Sequence, residues 1–389
     1  MRVLLLGTGL QGKAALFDLV RSPHVTEILA GDADAPALEA YVRTLASPKV
    51  TPVPLDATDS ARLRRLMEEV DVAIELLPAR FHLPVAQAAV EAGAHLVNAS
   101  YASPELRRLD PLAQAAGVTI LPECGLDPGI DLVLAGQVAR ELDEIHEFYS
   151  YGSGIPEAQA ADNPLRYKIS WTFEGVLRSY SRPARIVEEG RPVEVSAQAI
   201  FAPEHVHTLT VEGVGTLEAY PNGDVTGYLE AMGVAGSVRR AARYTARWPG
   251  HSAFWRVMAQ LGFLADEPVN VEGALVHPRA FLRSLLEPQL QYREDERDLV
   301  FLRVEARGLK DGRPLRVVYQ VVDWRDLETG MLAMQRTVGF SASIGAQMIG
   351  RGEIRKRGVL SPVTDLPGRA FLAKLAERGI RVQRWEERP

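Results

Sequence analysis

Met1-Arg-Val-Leu-Leu-Leu-Gly-Thr-Gly-Leu-Gln-Gly12 decides the fold of this chain. Its aliphatic centre, Val3 to Leu6, reads as a buried parallel strand. The strand runs into Gly7-x-Gly9-x-x-Gly12, and Lys13-Ala-Ala-Leu-Phe-Asp-Leu-Val20 follows with the spacing of an amphipathic helix. Each glycine has its own task in such a loop. Gly7 permits the tight turn, Gly9 lets a pyrophosphate approach the backbone, and Gly12 lets helix and strand pack closely. The phosphates would sit at the N-terminus of that helix, whose unpaired N–H groups and dipole favour an anion. The motif therefore predicts a dinucleotide site built from Gly7, Gly9, Leu10, Gln11 and Gly12.

Working outward, Thr26-Glu-Ile-Leu-Ala-Gly-Asp32 reads as a second strand ending in an acid, about twenty residues past Gly12. A carboxylate there accepts hydrogen bonds from ribose hydroxyls and repels a 2′-phosphate, and Asp34 adds to the repulsion. No arginine stands beside Asp32 to receive that phosphate. NAD is thus expected rather than NADP. Helices over 37–45, 59–69, 81–91 and 104–116 then alternate with strands over 50–54, 94–98 and 118–121 and with a strand plus loop over 71–78. That alternation specifies a doubly wound parallel sheet, an α/β Rossmann domain. Ligands in such sheets bind beyond the carboxyl ends of the strands, which selects the loops Leu77-Pro78-Ala79-Arg80, Ala99-Ser100-Tyr101-Ala102 and Pro122 to Asp127.

From about residue 144 the texture changes to long β-rich stretches mixed with helices, which predicts a second, mixed α+β domain. Residues 145–151 read as a strand and 152–164 as a loop, and Asp311-Gly312 has the chemistry of a hairpin turn. A small-residue helix at 341–350 predicts a return to the first domain. The expected division is 1–143, 144–340 and 341–389.

The totals agree with an ordinary globular enzyme. The chain has 389 residues, 47% of them apolar, enough for two cores. A net charge of −6 gives no electrostatic reason for a nucleic-acid partner. One cysteine, Cys124, suits a reducing compartment, and no apolar run reads as a signal or membrane span, so a soluble cytoplasmic protein is expected. No metal site is expected: His205 and His207 have β spacing, as two same-face strand histidines, without a third ligand. No Gly-x-Ser-x-Gly elbow marks a hydrolase.

Four residues in the later loops have a chemical reading beside a structural one. Asp127, before Pro128, is placed either to cap the helix that follows or to hold a substrate ammonium. Tyr101 is either a packing phenol or an active-site donor. Lys168 is the lysine whose burial would bring it towards neutrality for acid–base work, and Arg247 offers a fork-shaped partner for a carboxylate. Each of the two basic residues can equally be an ordinary surface charge.

Together, Leu76 to His82, Ser100 to Glu105, Gly125 to Asp131, Ser150 to Pro156, Asn163 to Trp171 and Tyr244 to Gly250 resemble the saccharopine dehydrogenase family. The resemblance covers nearly the whole chain. It implies a Rossmann domain, a mixed second domain with substrate contacts and a dimer interface, and substrate binding by Ser100, Tyr101, Asp127 and Thr245 to Arg247. Several positions depart from the family's saccharopine reductases. Asp32 stands where an arginine serving NADP is common. Pro221-Asn-Gly223-Asp224 lacks the arginine that holds the glutamyl part of saccharopine, Gly152 replaces a cysteine and Leu132 a histidine. By contrast, Phe173 to Leu177, Leu302 to Val304, Lys310 to Arg313 and Ala346 to Gly358 resemble lysine 6-dehydrogenases.

The expected activity is therefore NAD-dependent oxidation at the ε-carbon–nitrogen bond of L-lysine by a homodimer. Tyr101 and Lys168 are the candidate bases, Asp127 orients the ammonium and Arg247 holds the α-carboxylate. Oxidation or formation of saccharopine, with Arg166 or Arg243 replacing the missing clamp, is the alternative. A non-catalytic NAD-binding regulator is the reading from another class.

Overall fold

The computed structural model describes residues 1–388. The strand–helix alternation of the N-terminal third is present as β1 (Arg2–Leu6), α1 (Leu10–Arg21), β2 (Glu27–Asp32), α2 (Ala35–Leu45), β3 (Val50–Pro54), α3 (Ser60–Glu68) and β4 (Val72–Glu75). It continues through α4 (His82–Ala92), β5 (His95–Asn98), α5 (Pro104–Arg107), α6 (Asp110–Ala115), β6 (Thr119–Leu121) and α7 (Ile130–Glu141). The single helix expected over 104–116 is two short ones. Pro111 has no N–H to give the carbonyl of residue 107, so one continuous helix is interrupted there.

Later elements are β7 (Glu144–Pro156), α8 (Phe173–Ser179), β8 (Ala184–Glu188), β9 (Arg191–Val195), β10 (His207–Val211), β11 (Gly215–Pro221) and α9 (Thr226–Met232). They are followed by β12 (Arg240–Arg247), α10 (His251–Gln260), β13 (Val269–Val271), β14 (Ala274–Val276), α11 (Pro278–Leu286), β15 (Asp298–Lys310) and β16 (Arg313–Trp324). The chain ends with α12 (Ala333–Gly350), β17 (Gly358–Val359), α13 (Gly368–Glu377) and β18 (Val382–Glu387).

The chain divides into two units, Met1–Gln137 with Gln335–Arg381, and Val138–Met334 with Val382–Pro389. The first contains a parallel sheet in the order β17-β6-β5-β4-β1-β2-β3. Val3, Leu4, Leu5 and Leu6 of β1 are buried on both faces, which explains their unbroken apolar run. Strand order reverses between β1 and β4, and a crevice for ligand opens at the carboxyl ends of such a pair.

The second unit is built on a nine-stranded sheet, β10-β11-β12-β7-β15-β16-β18, with β8 and β9 attached through β12. β7 and β12 run parallel, whereas β15 is antiparallel to β7 and to β16. The β15–β16 turn is at Asp311-Gly312, both with positive φ (51° and 69°), as the sequence predicts.

Three expectations need correction. The loop expected from Gly152 is strand as far as Pro156: residues 150–156 lie buried between β12 and β15, and a doubly covered strand has no polar alternation to reveal it. The division expected at 143, 340 and 389 differs from the observed units, because α7 and α12 carry the first two crossings and β18 pairs with β16 instead of joining the first unit. His205 is not a strand residue, since β10 begins at His207, and no cluster of metal-ligating side chains is found among the described residues. No described helix is long and apolar enough to cross a membrane.

Candidate functional site

In the first unit, the glycine loop can be taken apart by what a side chain would meet. Gly7 has φ +89°, and a Cβ there would lie 2.8 Å from the Leu76 carbonyl oxygen. A Cβ on Gly12 would drive into the carbonyl oxygen of Gly7. The fold itself demands those two glycines. Gly9 is different: it has φ −65°, and a Cβ on it would meet nothing within 4 Å. No packing in the chain accounts for a bare Gly9, whereas a ligand lying on the loop does. Gly9 also supplies no side-chain cap, so the first N–H groups of the twelve-residue α1, at Leu10, Gln11 and Gly12, are left to an incoming anion. These residues fit a dinucleotide.

Asp32 ends β2 beside this loop and accepts from the Thr8 N–H (2.6 Å), the Thr8 hydroxyl (2.8 Å) and the Asp34 N–H (3.0 Å). Burial opposes its charge, but these donors outweigh burial and hold the carboxylate below its usual range. Asp34 serves as the N-cap of α2 through the Ala37 N–H. Leu77 is placed by its N–H on the Glu75 carboxylate (2.8 Å), and Pro78 leads into a single helical turn over residues 79–81. Glu75 also accepts from Asn98 Nδ2 and meets His82 Nδ1, both at 2.8 Å, while Asn98 Oδ1 accepts from the Ser100 N–H (2.7 Å). The buried Glu75 thus ties the Leu77-Pro78 loop to the Ser100 loop. Sequence reasoning missed it; the signal available was an acid closing the apolar run Val-Ala-Ile.

Tyr101 and Asp127 come together, the phenol donating to Asp127 Oδ1 at 2.7 Å. Asp127 is not the helix cap: α7 begins at Ile130, Pro128 precedes it, and the Asp131 carboxylate accepts from the Gly129 N–H (2.7 Å). Gly129, at φ +148°, stands between Pro128 and the helix, where a Cβ would enter the Gly125 backbone. Asp127 is a half-buried carboxylate facing a phenol that is 44% exposed.

In the second unit, Lys168 is buried, but its ammonium is held by Asp162 (2.9 Å) and by Glu296, which Arg293 also pairs. A lysine committed to two carboxylates is a structural cation, and the expected role as a free base finds no support in this geometry.

The strand β12 carries Arg243, Thr245 and Arg247 at alternate positions, hence on one face, and all three are buried. Thr245 accepts from Asn222 Nδ2 (2.6 Å). Arg247 donates to the Ala246 carbonyl (2.9 Å) and lies 5.3 Å from the Tyr167 ring centroid, while its Nε has no hydrogen-bond partner. Around it, burial pushes the phenols of Tyr167, Tyr180 and Tyr220 up, and burial together with Arg247 pushes His251 well down. These neighbours are therefore neutral at pH 7, and no carboxylate among the described residues pairs with the guanidinium. The Tyr167 hydroxyl and Trp255 Nε1 nearby also lack partners. Arg243 fills another space: a Cβ on Gly223 would be 2.7 Å from its Nη1, so its guanidinium lies against the bare glycine.

Comparison with known proteins bears on both units. The saccharopine dehydrogenase NADP binding domain model matches residues 3–121, and the saccharopine dehydrogenase C-terminal domain model matches residues 125–380. An alpha-aminoadipic semialdehyde synthase from Arabidopsis thaliana is 29% identical over 81% of this chain, although the match spans only 36% of that longer protein. A saccharopine dehydrogenase [NADP(+), L-glutamate-forming] from Pyricularia oryzae is 28% identical over 84% of this chain and 87% of its own. Apo saccharopine dehydrogenase (L-Glu forming) from Saccharomyces cerevisiae superposes with a TM-score of 0.88 at 25% identity, covering 99% of both chains. With both domain models matched in order along almost its full length, this chain belongs to the saccharopine dehydrogenase family.

Proposed function

We propose that the chain is an NAD-linked dehydrogenase acting on a carbon–nitrogen bond of an amino acid, with Arg247 holding a substrate carboxylate. The carrying observation is Arg247 itself, a buried cation among neutral neighbours. A desolvated guanidinium without a counter-charge is costly, and a bidentate carboxylate is its natural complement. Bound NAD supplies the hydride acceptor. Only a neutral amine can release hydride, so a proton must first leave the nitrogen. The Tyr101–Asp127 pair offers a carboxylate to orient the ammonium and a phenol within 2.7 Å of it to pass the proton on.

The Pyricularia oryzae relative and the matched N-terminal domain model carry NADP in their names, and Asp32 is the reason to read this chain otherwise. An ionised carboxylate held by Thr8 would face a 2′-phosphate with like charge, at a cost of several kcal/mol. Asp32→Ala is expected to raise kcat/KM with NADP relative to NAD by about tenfold or more, since each 1.4 kcal/mol is tenfold. Wild-type enzyme that already prefers NADP would overturn this reading of Asp32.

For the substrate, Gly223 alone argues for L-lysine, because the turn lacks a guanidinium of its own. Arg243 alters that balance. Its guanidinium lies in the space beside Gly223, and its backbone is about 13 Å from that of Arg247 at ~3.3 Å per strand residue. With the saccharopine dehydrogenases among the relatives, this favours a substrate with acidic groups at both ends, as in saccharopine. Oxidation of its secondary amine would give up a hydride, which NAD held by the Gly7–Gly12 loop would accept, and a proton to the protein; water would then add to the imine and release glutamate and an aldehyde. The test is NADH formation from NAD with saccharopine, L-lysine and carboxynorspermidine, each alone. Turnover of lysine only would restore the lysine reading, and no turnover with any amine would favour the non-catalytic regulator.

The proposed homodimer has a surface of its own. Nine of the fifteen large apolar side chains exposed among the described residues fall within 254–285, including Leu261, Leu275 and Phe281 at 67%, 70% and 54%. They amount to on the order of 800 Å², about one partner's share of a standard interface. We propose that a second copy covers this face. Sedimentation should give a dimer for wild type and a monomer for Leu261→Glu/Phe281→Glu; a monomeric wild type removes the proposal.

A further inference from the structure

The Tyr101 hydroxyl donates to Asp127 Oδ1 at 2.7 Å from a side chain that is 44% exposed, and its reach starts from the backbone of residues 100–102. That backbone is gripped from both sides by one residue. The Glu123 N–H donates to the Ser100 carbonyl (3.0 Å), and the Glu123 carboxylate accepts from the Ala102 N–H (3.1 Å). Arg107 Nη2, at 3.1 and 3.3 Å from the two carboxylate oxygens, braces the side chain from α5.

Glu123 does this from an unfavourable conformation. It is buried, and its φ is +58°, in the left-handed region where glycine or asparagine is ordinarily found. A glycine at this position would relieve the backbone and keep the bond to Ser100, but would lose the carboxylate. A residue kept at φ > 0 for the sake of its side chain points to a task for that side chain.

We infer that Glu123 is a positioning residue: it fixes the Ser100–Ala102 loop so that the Tyr101 hydroxyl meets Asp127. The inference rests on the reading above in which Tyr101 and Asp127 handle the substrate amine. Arg107 is the brace, and the neighbouring network of Glu75 and Asn98 holds the same loop at its beginning through the Ser100 N–H.

Full-length Glu123→Gly, Glu123→Gln, Tyr101→Phe and Glu123→Gly/Tyr101→Phe are to be compared with saccharopine and NAD. Misplacing a reacting group by about 1 Å costs up to ~10²-fold, so Glu123→Gly is expected to lose kcat by one to two orders of magnitude. KM for NAD should stay within about twofold, because the cofactor loop keeps its own anchor on Glu75. Glu123→Gln retains an acceptor for the Ala102 N–H and should recover most of kcat. The double variant should be no slower than Tyr101→Phe alone, since the two residues act as a unit.

A second measurement does not need turnover. Amide exchange in the segment 99–103, without cofactor or substrate, should quicken in Glu123→Gly and stay near wild type in Glu123→Gln. Unchanged exchange in Glu123→Gly, or rate losses that multiply in the double variant, would overturn the inference. A wild type that turns over no amine yet shows the expected exchange would sink the catalytic reading and leave the positioning intact.

Discussion

Arg247→Met is expected to separate function from stability, with opposite signs. Removing the guanidinium takes away the proposed partner of a substrate carboxylate. Losing one member of a buried, hydrogen-bonded charge pair costs about 2–5 kcal/mol, so kcat/KM should fall by roughly 10²–10³, mostly through KM. The free protein should not suffer in step. Arg247 is buried with no carboxylate on it among the described residues; it bonds to the Ala246 carbonyl and meets the Tyr180 phenol, and its Nε is unsatisfied. Replacing an uncompensated buried charge with an apolar side chain of similar reach is commonly neutral or stabilising. The checks are steady-state kinetics with saccharopine and a thermal unfolding midpoint. A kinetic loss with an equal or higher midpoint supports the assignment; unchanged KM, or a midpoint lowered by several degrees, would make Arg247 a structural residue.

Exchanging glycine for alanine at positions 9 and 12 is expected to give two failures of different kinds. At Gly9 the backbone, at φ −65° and ψ −161°, is one that alanine adopts, and the added Cβ meets no atom of the chain. Gly9→Ala should therefore fold as well as wild type or gain ~0.4–1 kcal/mol by restricting the unfolded chain. Its affinity for NAD should nevertheless fall by about two orders of magnitude, as the methyl group takes the place of a phosphate oxygen held against the helix N-terminus. At Gly12 the Cβ enters the Gly7 carbonyl, so Gly12→Ala should be destabilised by ~1–3 kcal/mol or more before any ligand is added. Calorimetric unfolding and NAD titration of both variants distinguish the cases. Equal loss of stability at the two positions would show that Gly9 serves the fold instead of the cofactor.

These cases also show what could be read from the sequence. The dinucleotide loop was legible because its determinants are consecutive: a doubly buried strand, three glycines and an amphipathic helix within twenty residues. The place of Asp32 at the end of β2 was legible by its distance from that loop. The partners of Lys168 were not, since Glu296 lies 128 positions away and nothing near Lys168 announces it. The same holds for Arg243, whose relation to Gly223 depends on β11 and β12 running antiparallel so that Asn222 meets the Arg243 carbonyl. Asp127 misled locally, because Asp-Pro ahead of an apolar run has the composition of a helix start, while Gly129 delays the helix. Glu123 carried no sequence signal, since a left-handed glutamate cannot be told from an extended one by its neighbours.

The order in which the chain crosses between its units constrains how it can be made. Residues 335–381 complete the first unit, and β18 at 382–387 then supplies an edge strand to the second. Neither unit is a continuous stretch of polypeptide. On a ribosome, where domains usually fold from the N-terminus as they emerge, the parallel sheet would wait without β17, α12 and α13 until residues 335–381 were available. A chain stopped before residue 335 would thus leave both units unfinished, and cutting once between them could not yield two intact pieces.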